Sequence, residues 1–428
     1  MNIAIVGSGI SSLVAARKLH AEHNITVFEA NDYIGGHTNT VDVETAEGQF
    51  AIDTGFIVFN DRTYPNFLRL MDELKVEAQP TIMSFSVKCE RTGLEYRGAD
   101  LQGMFAQKRN LLNPRFYQLI YDLLRFNSLG HQLLDERDSQ ESQTVGDFLA
   151  GHRFSQPFIE QYFLPMGAAI WSASMGTFEK FPIRFICEFY KNHGLLGISD
   201  RPQWQVIKGG SRNYLTPLTQ PFAKQIRLNQ KVRSVRRVAD SRNSSGDPKI
   251  RLKTISGETL IFDHVVFGCH SDQALAILAD DATQDEREIL AAFPYQKNIA
   301  ILHTQHDVLP QRRQAWASWN YFNPIEAREA ATVTYNMNIL QSLGTDTVFC
   351  VTLNDNGRIR NENVLRTFTY HHPTFNLRRK FMQQRHADLI NNNATSFCGA
   401  YWGNGFHEDG VVSGLAVADS LLNVGVGC

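Results

Sequence analysis

Apolar positions along this chain switch between a period of two and a helical period. Asn2 to Val6 is a β-branched run, Gly7 to Gly9 is a turn, and Leu13, Ala16 and Leu19 recur at helical spacing. That order predicts strand, tight turn and helix, with a second strand at Ile25 to Phe28. The runs "IRLNQKVRSVRRV", "KIRLKTI" and "TLIFDHVVFGC", between Gln203 and Leu278, read as further strands, broken by the polar turn "ADSRNSSGDP" near Asn243. The tail "SFCGAYWGNGFHEDGVVSGLAVADSLLNVG" reads as a strand and glycine turns leading into an apolar helix. These pieces predict an α/β fold, α+β overall, with a Rossmann-like nucleotide-binding domain assembled from residues 1–62, 203–290 and 391–428. Residues 63–202 and 291–390 would form an inserted substrate domain of mixed β-sheet and helices. Within it, "QKRNLLNPRFYQLIYDLLRF" places Leu112, Phe116, Leu119, Ile120, Leu123 and Leu124 on one helical face behind Lys108, Arg109 and Arg115. That face either buries in the domain or rests on a bilayer surface and passes lipid inward.

The first turn carries the candidate chemistry. Gly7 supplies unusual backbone angles, Gly9 lets the main chain approach a pyrophosphate, and Ser12 stands where G-x-G-x-x-G would have its third glycine. Serine is small, so helix and strand still pack. The helix N-terminus, through Ser11 and Ser12, adds backbone N–H groups and a partial positive charge. Glu29 ends the second strand, where a carboxylate accepts ribose hydroxyls and repels the extra phosphate of NADP. Next come Gly35, Gly36, His37 and Thr38, whose backbone amides can face phosphate oxygens, and then the close-approach turn Asp53, Thr54 and Gly55.

This arrangement resembles the superfamily of flavin-containing amine oxidases, phytoene desaturases and protoporphyrinogen oxidases. The stretches "GGHTNTV", "DTGFIVFNDRTYPN", "LPMGAAIWS", "RPQWQVIKGGSRNYL", "CHSDQAL" and "GAYWGNGFHEDGVVSGLAVA" are similar, end to end, to one bacterial subfamily of FAD-dependent oxidoreductases. Members are often encoded beside cyclopropane-fatty-acid-synthase-like methyltransferases, and some relatives are linked to desaturation of methyl-branched acyl chains. The resemblance implies FAD, with Val232 at the adenine, Gly399 near the flavin, and the helix start at Gly410, Val411 and Val412, with Gly414 beyond, aimed at the flavin N1/C2=O edge. Two positions depart from the pattern. His37 stands where the superfamily has arginine, so the pyrophosphate must lean on amides. Ala400 stands where an acid bonds the ribityl chain, leaving Glu408 or Asp409 to substitute. Tyr401, Trp402 and His407 are the catalytic candidates near the flavin. Trp171, Trp204, Trp319, Tyr321 and Tyr335 are candidates to line the substrate cavity. Lys297 is the residue an amine oxidase would set against N5.

Composition narrows the rest. With 428 residues, 42 basic and 44 acidic side chains, the chain has room for two domains and no charge bias toward nucleic acid. The six cysteines are scattered and read as reduced thiols. Cys269 and His270 in "CHSDQ" lack partner ligands, so no metal is expected. Met1 leads straight into a strand and no apolar run reaches membrane-spanning length, so a cytoplasmic protein is expected, with peripheral membrane contact as an option. The 28 phenylalanines, against 13 tyrosines, suit either a greasy cavity or a core. The expected function is FAD-dependent removal of hydride from a C–H bond of an apolar substrate, such as a fatty acyl or lipid chain. An electron acceptor or a methyltransferase is the expected partner. The alternatives are a flavin amine oxidase, a sugar-nucleotide mutase-like isomerase, for which no arginine pair is evident, and a non-catalytic flavoprotein partner.

Overall fold

Five short parallel strands carry the nucleotide-binding framework. In the computed structural model all residues are described except 137–142, 172, 198–200, 240–247, 327–330 and 424–428, so Asn243 and Cys428 lie outside the described residues. In chain order the framework is β1 (Asn2–Val6), α1 (Ile10–Leu19), β2 (Asn24–Phe28), β3 (Ile226–Arg227), β4 (His264–Phe267), β5 (Thr395–Phe397) and α2 (His407–Asn423). The strands lie in the order β3-β2-β1-β4-β5, with Val6 beside Phe28 and Phe267. All three predicted segments therefore contribute to one sheet.

Alternation along β1 sends side chains to two cores. Ile3 and Ile5 pack with Leu13, Ala16, Val417 and Leu421 of the helices. Ala4 and Val6 pack with Val235, Ile250 and Leu252 of a three-stranded antiparallel layer, Val232–Val238, Lys249–Thr254 and Thr259–Phe262. α2 lies so close to α1 that a Cβ on Gly414 would stand 2.4 Å from the Ser11 carbonyl oxygen, and one on Gly410 2.7 Å from Ile10. The helix Pro65–Leu74 sends Phe67, Leu70, Met71 and Leu74 into this same core. It therefore packs with the nucleotide-binding sheet rather than with the substrate domain to which its sequence position assigns it.

The segments expected to form the substrate domain build a seven-stranded mixed sheet: Val364–Pro373, Tyr295–His303, Cys350–Leu353, Thr332–Asn336, Trp319–Asn323, Phe85–Cys89 and Glu95–Arg97, in that spatial order. Only the pair Trp319–Asn323 and Phe85–Cys89 is parallel. The helical part has its own core of Phe126, Phe148, Phe154, Phe158, Phe163, Phe178 and Phe181. This cluster accounts for much of the phenylalanine surplus. In the helix Pro114–Asp135, Phe116, Leu119 and Phe126 are buried, whereas Leu112 before it and Leu124 within it, expected on the same face, are 89% and 47% exposed. Among the described residues no helix is long and apolar enough to cross a membrane.

Candidate active site

One cavity of about 1240 Å3 runs from the first glycine turn to the substrate sheet. At its nucleotide end the wall is mostly backbone: Gly7, Ser8, Gly9, Gly35 and Gly36, with Glu29 at the end of β2. Gly7 has φ 97°, Gly35 φ 116° and Gly36 φ 60°, all left-handed values that favour glycine. A Cβ on Gly36 would lie 3.3 Å from the Gly9 Cα, while one on Gly9 would meet nothing within 4 Å. The space before Gly9 and the start of α1 is therefore open, and no side chain caps that helix. Ser12 is buried one turn on and does not face the cavity; its Oγ would sit 1.9 Å from a Cβ on Gly268. The missing third glycine is thus matched by a glycine on the strand end opposite.

Glu29 is fixed in place. Its Oε2 accepts from the Ser8 amide at 3.0 Å and the Ser8 hydroxyl at 2.6 Å, and its Oε1 from the Asn31 amide at 2.8 Å. A carboxylate offers about four acceptor sites, which leaves room for a hydroxyl of a bound ribose. Lys231, Val232 and Arg233 continue the wall beyond it.

Further in, Thr54 and Gly55 approach His37. The Thr54 amide donates to the Asn39 carbonyl at 2.9 Å and the Phe56 amide to the His37 carbonyl at 2.7 Å. A Cβ on Gly55 would lie 2.1 Å from the His37 carbonyl oxygen, so only glycine fits. Asp53 does not line the cavity. It accepts from Thr40 and from the Ser211 amide and hydroxyl, tying its hairpin to the turn at Gly209 and Gly210, and burial pushes its carboxyl up to about 6.

Four imidazoles gather beside this turn. His37 stacks on Tyr370, with ring centroids 5.1 Å apart, and lies 5.4 Å from His372 and 6.0 Å from His270. His371 is 6.2 Å from His270, which itself stacks on Tyr295. Burial, reinforced by their neighbours' charge, lowers His37 and His372 to about 3 and His270 to about 4, so all three are neutral at pH 7. Among the described residues no cluster of His, Cys, Asp and Glu has the makings of a metal site.

Comparison with known proteins gives the family. The model of the flavin containing amine oxidoreductases matches residues 10–306. The chain belongs to that family. FAD is its cofactor. Cyclohexylamine oxidase from Brevibacterium oxydans has a similar fold, with TM-score 0.67 and 16% identity over 98% of this chain and 99% of that one. So does a CLA-producing fatty acid isomerase from P. acnes, with TM-score 0.65 and 14% identity over 98% of both chains. The Arabidopsis thaliana protein named "Probable flavin-containing monooxygenase 1" is 39% identical over 84 residues, which cover 18% of this chain and 16% of that protein.

The nucleotide end of this oxidoreductase suits FAD: an open approach at Gly9, a fixed acceptor in Glu29, and a glycine cradle that any Cβ would fill. The cavity wall includes Gly7, Gly9, Ser11, Glu29, Gly35, Gly36, His37, Thr54, Gly55, Val232, Gly399 and, of the catalytic candidates, Tyr401 and His407. The structure places other expected residues elsewhere. Thr38 is buried behind the wall, with its hydroxyl bonded to the Tyr214 hydroxyl and 3.0 Å from His407 Nε2. Glu408 accepts from the Asn66 and Phe67 amides, so it caps the helix Pro65–Leu74 instead of reaching the large cavity. Asp409 holds the Phe406 amide at 2.8 Å and is equally removed. Gly410 and Val411 serve the α1–α2 contact, and Val412 is 47% exposed. Neither Glu408 nor Asp409 lies on the wall of the large cavity, where the expected ribityl acceptor would have to stand.

Trp402 leaves the cavity wall and stacks on His386 at 4.0 Å. His407 lies flat on Phe56 with centroids 3.5 Å apart, its Nε2 3.1 Å from the Tyr214 hydroxyl, and burial lowers it to about 3. Trp171, Trp204, Trp319 and Tyr335 line the cavity, whereas Tyr321 is buried in the sheet core. The sequence pattern singles out none of Tyr295, Tyr370, His371 and His372, and it offers His270 only as a metal ligand without partners. The adjacent aromatics of "TYHHPTF" were the available signal, but nothing in their spacing says that the strand end bearing them meets His37.

Proposed function

We propose that this protein is an FAD-dependent oxidoreductase that removes hydride from a C–H bond of an apolar chain, most simply a fatty acyl or other lipid chain. The supporting observation is the charge of the cavity wall. Among its described residues Glu29 is the only carboxylate, and it belongs to the nucleotide end. The other end offers Tyr96, Met166, Ile170, Trp171, Trp319 and Leu353, which suit methylene groups worth about 0.8 kcal/mol each on burial. An ammonium substrate would meet no counter-charge there. Lys297, the residue an amine oxidase would use, is exposed and absent from the wall.

FAD, when bound, would supply hydride acceptance. The chain's own residues position the substrate. His407, with Nε2 already engaged and its basicity suppressed, holds the Phe56 ring rather than taking a proton, and the proton that accompanies hydride loss goes to water. His193, lowered to about 4 by burial, is likewise neutral, with Nδ1 2.8 Å from the Phe189 carbonyl oxygen. Arg201 lies on the substrate wall beside Tyr162, whose phenol it pulls down against the larger effect of burial. It gives an acid-headed chain a counter-charge. Anaerobic mixing with dispersed acyl chains should bleach the flavin absorbance. Bleaching by primary amines alone would overturn the reading.

A further inference from the structure

Between residues 101 and 124 six large apolar side chains stand exposed: Leu101, Leu111, Leu112, Tyr117, Tyr121 and Leu124. Gathering so many in one stretch is unusual for a surface with no partner. On the helix Pro114–Asp135, Tyr117, Tyr121 and Leu124 form a stripe at i, i+4 and i+7, while Phe116, Leu119 and Phe126 bury the other side. The helix thus has a second apolar face that its own packing does not use. Leu111 and Leu112 extend that face into the preceding turn, Lys108–Leu112.

Charge indicates the occupant. Residues 101–121 include Lys108, Arg109 and Arg115, all exposed, and no carboxylate. The acids at either end are engaged: Asp100 with Arg97 and the Gly103 amide, Asp122 with Arg125 and the Ser155 amide. Arg109 donates to the Gly93 carbonyl, not to an acid. Leucines flanked by tyrosines and cations suit the boundary between lipid headgroups and acyl chains. The patch also adjoins the cavity. Gly98, three residues before Leu101, lines it, as do Thr81 and Met83 on either side of Ile82, which is 67% exposed.

The geometry points to an anionic phospholipid surface as the partner of the 101–124 face, with the leucines and tyrosines inserted and Lys108 and Arg115 on the lipid phosphates. Delivery of a lipid from that surface into the cavity rests on the apolar-substrate reading above; the surface binding itself does not.

The test is flotation of the full-length flavoprotein with phosphatidylcholine vesicles, with and without phosphatidylglycerol. The protein should float with the anionic vesicles and be released by salt. L112D/Y121D should lower the partition by roughly ten-fold or more. K108Q/R115Q should lower it on the order of 25-fold, on anionic vesicles alone, at about five-fold per charge. Because these side chains are exposed, the thermal midpoint should not move in either variant. L112D/Y121D should also keep flavin bleaching by acyl chains dispersed in solution while losing it with vesicle-embedded lipid. That arm separates failure of the surface from failure of the chemistry. No flotation with anionic vesicles, or flotation that both variants leave intact, overturns the proposal. A dimer seen by sedimentation velocity that L112D/Y121D splits, without any flotation, also overturns it and makes the patch a protein interface.

Discussion

The two ends of the cavity are built by different means. At the nucleotide end the surface is backbone, held in left-handed turns at Gly7, Gly35 and Gly36 and pinned where Gly55 passes under the His37 carbonyl. At the substrate end the surface is side chain, from Tyr96, Met166, Trp171, Trp319, Tyr335 and Leu353, which come from five separate elements. A fixed ligand recognised by amides demands particular residues at particular spacings. An apolar chain recognised by contact demands only volume and hydrophobicity, which many sequences meet. The nucleotide end should therefore fail sharply on single changes and the substrate end gradually.

Gly55→Ala should produce the largest effect. Its methyl cannot coexist with the His37 carbonyl, so we expect a loss of about 3 kcal/mol or more and purification without yellow colour, read by urea unfolding and flavin absorbance. Glu29→Ala comes next: the Ser8 and Asn31 amides lose their acceptor, and the flavin dissociation constant should rise on the order of 30-fold, measured by fluorescence titration. A substrate-end change such as Leu353→Ala, which leaves the glycine cradle alone, should cost about 2 kcal/mol or more in stability because Leu353 is buried in the sheet core, yet keep flavin affinity while raising substrate KM. Equal losses of flavin in both variants would erase the contrast.

Acid should test the buried imidazoles, of which His37, His270 and His372 sit at the junction between the ends. Eight histidines, His37, His193, His264, His270, His303, His372, His386 and His407, are lowered to about 3 or 4 by burial. Because the unfolded chain binds these protons more readily, their stabilisation is complete above about pH 6.5 and is lost as pH falls toward the folded values. Asp53 and Asp409, raised to about 6, act in the opposite sense, favouring the fold below about pH 4 and losing that contribution as pH rises through 6. With eight groups against two, the thermal midpoint should drop steadily from pH 6.5 to pH 4. A flat profile would mean that the imidazoles are solvated.

Smaller effects sharpen the same comparison. Arg201→Gln should raise KM for an acid-headed chain about five-fold and leave its neutral ester unchanged, as fits an exposed charge pair. Ser12→Ala should be mildly stabilising, by roughly 0.5 kcal/mol, because the buried Ser12 hydroxyl has no hydrogen-bond partner among the described residues and alanine favours the helix. Destabilisation by Ser12→Ala would show that the hydroxyl contributes to the Gly268 contact.

The glycine turn, the acid at Glu29 and the strands and helices that flank them were readable because each follows from a local rule: period two for strands, period 3.6 for helices, and glycine where φ is positive. The candidates for catalysis and for the ribityl contact were less readable. Trp402 and Glu408 sit near the right turn in sequence, yet Trp402 faces His386 and Glu408 caps a helix more than three hundred residues upstream. Neither outcome is set by its neighbours in the chain. The helix at 114–135 makes the same point, since both of its faces are apolar and its own pattern does not say which one is buried.

By itself the sequence determined the strand, glycine turn and helix at Gly7 to Gly9 and the separated strands that join one sheet, because backbone geometry is encoded residue by residue. The tertiary structure decided which imidazoles meet, which carboxylates are spent as caps, and which apolar face stays in water, because those depend on long-range contacts such as His37 with His372 and Asn66 with Glu408. Contacts of that kind arise when distant elements dock, and no local spacing in the chain records where they will land.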